Sequence, residues 1–214
     1  MLEKAVMEAR GLCKSYGARE ALSPVSFRLE GGSGLALTGE NGSGKSTLLR
    51  LLAQIERPDG GDLLFGGKSV LGDRAFLRKN VGYVPQEPAL DGELTVAGQL
   101  RLWAAACGCR RDVASESLMG LGELLRQRTG ELSGGQARRV SIAMALMNSP
   151  RLLLLDEAFT GLDAVYSEAL CGALKDFVAA GGILVCATHR PEEAAGFCKF
   201  GITLREGAPS DISR

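Results

Sequence analysis

The sequence predicts an α/β protein built on a mostly parallel sheet with helices on both faces. Residues 152–155 (LLLL) and 183–187 (ILVCA) are uninterrupted apolar runs separated by segments of helical apolar spacing. A strand buried on both faces reads as such a run, whereas a half-exposed strand alternates. A third observation is the presence of 29 glycines in 214 residues. That is roughly double the usual ~7%, and points to many tight turns or to backbone wrapped closely around a ligand.

Taken in order, the chain is β-rich at its start, and residues 25–30 alternate as a strand. Residues 35–38 form a short apolar strand ending at Gly39, and 45–55 follow with helical spacing through Leu48, Leu49, Leu51, Leu52 and Ile55. Residues 62–65 and 81–84 read as short strands between glycine and proline punctuation. From 88 to 128 the character changes: Leu94, Leu100, Leu102, Trp103, Leu118, Leu121 and Leu125 recur at helical intervals, broken near Gly108. This predicts a helical insertion, with Trp103 in its core. Strand and helix then alternate again, with helices over 135–147 and 164–180, the two apolar strands, and a short helix after Pro191. The glycine doublets at 31–32, 60–61, 66–67 and 181–182 read as strand-end turns.

Composition narrows the function classes. The 25 Lys+Arg balance 25 Asp+Glu, with a single His. Proteins that hold nucleic acid by neutralising phosphates need a basic face, so no nucleic-acid partner is expected. With 45% hydrophobic and 23% charged residues the chain is an ordinary globular protein rather than a disordered or collagenous one. No apolar run approaches the ~20 residues that cross a bilayer. The start, MLEKAVMEAR, mixes both charge signs and has no signal-peptide core, so a cytoplasmic protein of one large domain is expected. The six cysteines, at 13, 107, 109, 171, 186 and 198, form no C-x-x-C pair and read as reduced thiols.

The chemistry begins at Gly39-Glu40-Asn41-Gly42-Ser43-Gly44-Lys45-Ser46, followed by Thr47. It fits G-x-x-x-x-G-K-[ST] and stands between a strand and a helix, as that pattern requires. Glycines let the backbone curl so that successive N–H groups face a phosphate chain, and the helix N-terminus adds a favourable dipole. Gly39, Asn41, Gly42, Ser43, Gly44 and Thr47 are therefore expected around the nucleotide. Lys45 would reach the β- and γ-phosphates, and the Ser46 hydroxyl would ligate Mg²⁺. The apolar strand ending in Asp156-Glu157 is its natural partner, because ligands of an α/β sheet sit at the carboxyl ends of strands. Asp156 is expected on the metal and Glu157 as the general base that polarises the attacking water. Alone, such a pair also has a lesser reading as an acidic helix start; beside the phosphate loop the catalytic reading is preferred.

Leu132-Ser133-Gly134-Gly135-Gln136, LSGGQ, completes an ordered set: phosphate loop, Gln86, LSGGQ, acidic strand, Asp163 and His189. In these motifs, spread over essentially the whole chain, the sequence resembles the ATP-binding subunit of ABC transporters. The resemblance implies a P-loop NTPase with an ABC-type core: a mostly parallel sheet flanked by helices and an N-terminal antiparallel β subdomain. It further implies a single ABC ATPase domain over 1–214, with a helical subdomain inserted at 88–128.

It also implies roles. Gln86, in Tyr83-Val84-Pro85-Gln86, would touch Mg²⁺ or the lytic water and mark the hinge into the insertion. Ser133, Gly135 and Gln136 would contact the γ-phosphate of ATP held by a second subunit, so that two ATP molecules are sandwiched in a homodimer or heterodimer. Asp163 would lie in a loop crossing that interface. His189 would hydrogen-bond the γ-phosphate, and Tyr16 would stack on adenine, worth ~1 kcal/mol. Two departures from the family pattern, Ala158 where proline is common and Thr160-Gly161 before Leu162-Asp163, leave every carboxylate in place.

The function implied is an ATPase on the cytoplasmic face of the cell membrane, driving a transporter whose pore is a separate integral membrane permease. The coupling surface is expected within 86–103. The compact insert and the lack of a regulatory C-terminal domain resemble ATPase subunits of ABC-2 and haem exporters, so an exporter is expected. The alternative is a soluble ABC ATPase acting on ribosomes or DNA, against which stand the short insert, single cassette and zero net charge. Asp156-Glu157-Ala158 faintly resembles a helicase motif, but the chain has no room for a second nucleotide-binding lobe. A GTPase is disfavoured because no N-K-x-D guanine-reading motif occurs.

Overall fold

The structure, a computed structural model, describes residues 5–213. In chain order the elements are β1 (Val6–Tyr16), β2 (Arg19–Glu30), β3 (Ser33–Thr38), α1 (Lys45–Leu52), β4 (Gly60–Phe65), β5 (Lys68–Ser69), α2 (Arg74–Asn80), β6 (Val81–Val84), α3 (Val96–Cys107) and α4 (Val113–Leu118). They continue with α5 (Gly134–Leu146), β7 (Leu152–Asp156), α6 (Ala164–Ala179), β8 (Ile183–Ala187), α7 (Pro191–Ala194), β9 (Phe200–Arg205) and β10 (Ala208–Ser213). No helix among the described residues is long and apolar enough to cross a membrane.

Two sheets form. The first is antiparallel, in the order β2-β1-β4-β5. Its inward residues, among them Met7, Leu12, Leu22 and Val25, are buried, and the outward Glu8 pairs with Arg10 and Arg28. The second runs β10-β9-β3-β8-β7-β6, with parallel pairings from β9 through β6 and an antiparallel β10 at one edge.

The LLLL run shows why it is apolar throughout. Leu152 and Leu154 face one core with α1 and the first sheet, whereas Leu153 and Leu155 face a second core. That second core also takes Leu100 and Met119, Val140 and Ile142 of α5, and Leu170 and Leu174 of α6. Helix α1 lies between the two sheets, and Leu48, Leu49, Leu51 and Leu52 are all fully buried. Each such leucine contributes roughly 1.5–3 kcal/mol of transfer free energy.

Helix α1 ends at Leu52, short of the expected 55. Gln54 turns into the left-handed region at φ 52°, and its side chain holds Val70 O at 2.7 Å and the Gly72 amide at 2.6 Å. Within 88–128, Thr95 caps α3 by accepting from the Gly98 amide, and Gly108 ends it at φ 69°. Residues beyond 118 pack Leu121 and Leu124 without forming a long helix. The β9–β10 hairpin, not anticipated from the sequence, turns through Glu206 and Gly207, both at positive φ (47° and 85°). That is the pattern of a two-residue turn matched to strand twist.

Candidate nucleotide-binding site

β3, β7 and β8 all end at the same edge of the sheet, with β8 between the other two. β3 delivers the phosphate loop, β7 delivers Asp156 and Glu157, and β8 delivers His189. Gly44 caps α1 at φ 103°, where a Cβ would stand 2.7 Å from Ala21 O, so only glycine suits this turn. The loop is also tied to the terminal hairpin, since the Gly207 amide donates to Ser43 O at 3.1 Å. Lys45, nearly buried, folds back over the loop and donates to Gly39 O at 2.7 Å and Glu40 O at 2.9 Å. An ammonium so placed can meet phosphate oxygens in the loop with little movement.

A cleft of about 550 Å³ opens beside the loop and brings together Asn41, Gly42, Ser43, Gly44, Lys45, Ser46 and Thr47 with Tyr16, Gln86, Asp156 and Glu157. Gly39 instead lines a larger cleft of about 1060 Å³ on the outer side of the loop, with His189 and the β9–β10 turn. Tyr16, 45% exposed, is tethered through its hydroxyl to the Glu56 carboxylate, which also accepts from Arg50 Nε at 2.7 Å. Tyr16 is thereby linked to the helix that begins at Lys45.

Asp156 is only 1% exposed. Burial pushes its carboxyl pKa up, the Ser46 hydroxyl and the Arg50 and Lys45 cations oppose this, and Glu157 adds to it. Its Oδ1 is buried without a hydrogen-bond partner. A buried, orphaned carboxylate oxygen beside a serine hydroxyl is a donor set that fits a hard divalent cation. Glu157 sits at φ 51°, rare for a residue with a side chain, with its amide held by Ala187 O at 3.0 Å. Its Oε2 is 2.7 Å from His189 Nδ1.

The LSGGQ residues and Asp163 do not join this cleft. Ser133 caps α5, accepting from the Gln136 amide at 3.3 Å, while Gln136 Oε1 accepts from the Ser133 amide at 2.9 Å. Ser133 and Gly134 are exposed. A Cβ on Gly135 would meet Gly161 O at 2.4 Å, so the start of α5 packs directly against the turn before Asp163. Asp163 caps α6 by accepting from the Tyr166 amide at 3.1 Å.

Sequence reasoning missed Arg19 and Arg50, which also line the nucleotide-side cleft, and Gly207, which supports the loop. Arg50 was findable, because it stands four residues after Ser46 on the same helical face. Gly207 carries no local signal.

A strand-to-helix phosphate loop, a buried metal-ready aspartate and a glutamate–histidine pair at one sheet edge define a P-loop nucleotide hydrolase. The pattern of the ABC transporter family matches residues 22–160. The Nod factor export ATP-binding protein I of Rhizobium sp. (strain N33) is 34% identical over 97% of this chain and 72% of its own length. The Fe(3+) ions import ATP-binding protein FbpC of Serratia marcescens is also 34% identical, over 97% of this chain and 64% of its own. A solved ATP-binding subunit of an ABC transporter superposes with a TM-score of 0.88 at 29% identity, covering 97% of this chain and 89% of that one. The chain belongs to the ABC transporter family, as an ABC ATPase.

Proposed function

We propose that this chain is the ATP-binding and hydrolysing subunit of a membrane transporter, working as an ATP-sandwich dimer on the cytoplasmic face of the membrane with a separate permease. The observation that carries the reading is the division of the site. The phosphate loop, Asp156 and Glu157 line one cleft, whereas Ser133, Gly135 and Gln136 present an exposed helix N-terminus outside it. Helix N-termini suit phosphate, so a second subunit supplies the missing half.

In this reading Lys45 and the loop amides hold the β- and γ-phosphates. Asp156, Ser46 and Gln86 hold Mg²⁺, which supplies charge neutralisation on the phosphates when bound. Glu157 takes the proton of the attacking water, and His189 orients Glu157 and meets the γ-phosphate. Tyr16 stacks on adenine, and Asp163 faces the partner. The chain is one domain over 1–214, with 88–128 as a helical subdomain.

The permease docks at 86–103. An apolar groove of about 420 Å³ there is lined by Ile55, Tyr83, Pro85, Ala89 and Trp103. Trp103 is half-buried and donates to Met144 O at 2.8 Å, so it belongs both to the core and to the groove wall. Export is the proposed direction, on the strength of the compact insert; the relatives include both an export and an import subunit at 34% identity.

The test is affinity capture of a tagged chain from native lysate and detergent-solubilised membranes. An integral membrane protein should co-purify and change the ATPase rate. Ribosomes or DNA-repair factors without any membrane protein would overturn the transporter reading in favour of a soluble ATPase. Once the permease is known, ATP supplied to inverted vesicles should drive substrate inward; uptake into right-side-out vesicles would reverse the direction.

A further inference from the structure

Arg138 is a buried cation with an unusual job. It lies in α5, five residues beyond the Ser133 cap, and is 5% exposed. Its Nη1 donates to Pro85 O and its Nη2 to Gln86 O, a two-pronged grip on successive carbonyls. Its Nε has no partner, and burial pulls its pKa down, so this cation is held at a cost in desolvation.

The gripped segment lies just past the end of the sheet's hydrogen bonding. β6 is the edge strand of its sheet, and its pairing with β7 ends at Val84↔Leu155. Among the described residues the hydrogen bonds to the Pro85 and Gln86 carbonyls come from Arg138. Gln86 lines the nucleotide-side cleft with Asp156 and Glu157. The neighbouring Arg139 points elsewhere, donating to Met119 O at 3.2 Å and stacking on Tyr166. Helix α5 also packs against β6, where a Cβ on Gly82 would meet Ala145 O, but among the described residues the hydrogen bonds from α5 to the Pro85 and Gln86 carbonyls are those of Arg138.

We propose that Arg138 is a positioning residue that couples the two nucleotide sites of the dimer, by making Gln86 move with the signature helix. The inference rests on the sandwich reading above. A partner's nucleotide drawing on Ser133, Gly135 and Gln136 shifts α5, and the guanidinium fork carries Gln86 toward or away from the same chain's own nucleotide. Coupling of this kind is reciprocal, so ATP against Gln86 in one site also favours closure of the signature onto the other. Two equivalent sites can give a Hill coefficient of at most about 2.

The test compares unmodified protein with Arg138→Met and Arg138→Lys. Methionine keeps the apolar volume and removes both donors; lysine keeps the charge but lacks the planar fork. For Arg138→Met the expected result is a Hill coefficient falling toward 1 and kcat falling about tenfold or more. Affinity of the isolated monomer for a fluorescent ATP analogue should stay within about twofold, and Arg138→Lys should lie between. In the Glu157→Gln background, Arg138→Met should require more ATP to dimerise. An Arg138→Met protein that dimerises normally with unchanged Hill coefficient and kcat overturns the proposal, as does full recovery of both by lysine. A melting temperature lowered alone, with kinetics intact, assigns Arg138 a structural role and also overturns it. If Glu157→Gln with Arg138 intact never dimerises, the sandwich reading itself fails and this proposal falls with it.

Discussion

His189 Nδ1 stands 2.7 Å from Glu157 Oε2, joining the carboxyl ends of two adjacent parallel strands. Glu157 is mostly buried and His189 half-exposed, so the histidine approaches the carboxylate from the open side of the site. Loss of the carboxylate is therefore expected to remove a base and leave the binding surface whole. Glu157→Gln should lower kcat by about 10²–10⁴-fold while nucleotide affinity stays within a few-fold. With ATP and Mg²⁺ it should elute from gel filtration as a dimer. Monomer alone under those conditions would count against the sandwich.

Lys45 crosses its own loop to Gly39 O and Glu40 O. Lys45→Ala should abolish hydrolysis and weaken nucleotide binding by about tenfold or more, since a charge-assisted contact is lost from a partly buried site. Isothermal titration and phosphate release measure the two effects. Hydrolysis at the unmodified rate would remove Lys45 from the site.

Gly135 packs on Gly161 with no room for a methyl group, because a Cβ would lie 2.4 Å from a backbone oxygen. Gly135→Ala should displace the start of α5 from the turn preceding Asp163. In the Glu157→Gln background it should block ATP-dependent dimerisation, with monomer affinity for an ATP analogue unchanged. Normal dimers would show that this contact is dispensable.

Asp156 is a carboxylate whose folded pKa is raised, chiefly by burial. An acid with a raised folded pKa loses stability as pH rises from its unfolded value through its folded one. Asp156→Asn should accordingly melt higher than the unmodified, metal-free protein at pH 7, and the difference should shrink as pH falls below the ordinary carboxylate range. The same variant should lose Mg²⁺-dependent hydrolysis. A lower melting temperature at pH 7 would contradict the desolvated-acid account.

Burial pushes the Cys198 thiol up to about 12 and the fully buried Cys186 well above its ordinary value. At pH 8 a thiol with a pKa of about 12 is roughly one part in 10⁴ thiolate, so a disulfide reagent should leave both untouched in the native protein. All six cysteines should react in denaturant. Cys198 is partly exposed, so rapid native labelling there would show that its thiol is not held protonated.

What the sequence revealed depended on how local each signal is. Leu152 to Leu155 and Ile183 to Ala187 announce doubly buried strands because each residue meets an apolar neighbour whichever way it points. The phosphate loop and LSGGQ are short runs whose backbone geometry is written in their glycines. The end of α1 was misjudged because Gln54 reverses the chain through bonds to Val70 and Gly72, residues far along the sequence. Glu206-Gly207 lacks the Asn-Gly or Asp-Gly that marks such a turn, and the hairpin was missed. Arg138 reads as one more surface arginine until the carbonyls of Pro85 and Gln86 are seen in front of it.

Helix α1, whose four leucines are all buried, is the seam between the two sheets, and its first turn is also the floor of the nucleotide cleft. A ligand seated there holds together the parts that unfolding must separate. At a hundred times its dissociation constant such a ligand adds about 2.7 kcal/mol to stability, a large share of a typical domain's total. The nucleotide is then a structural component as well as a fuel. A chain without bound nucleotide is the weaker fold and the easier prey for proteases.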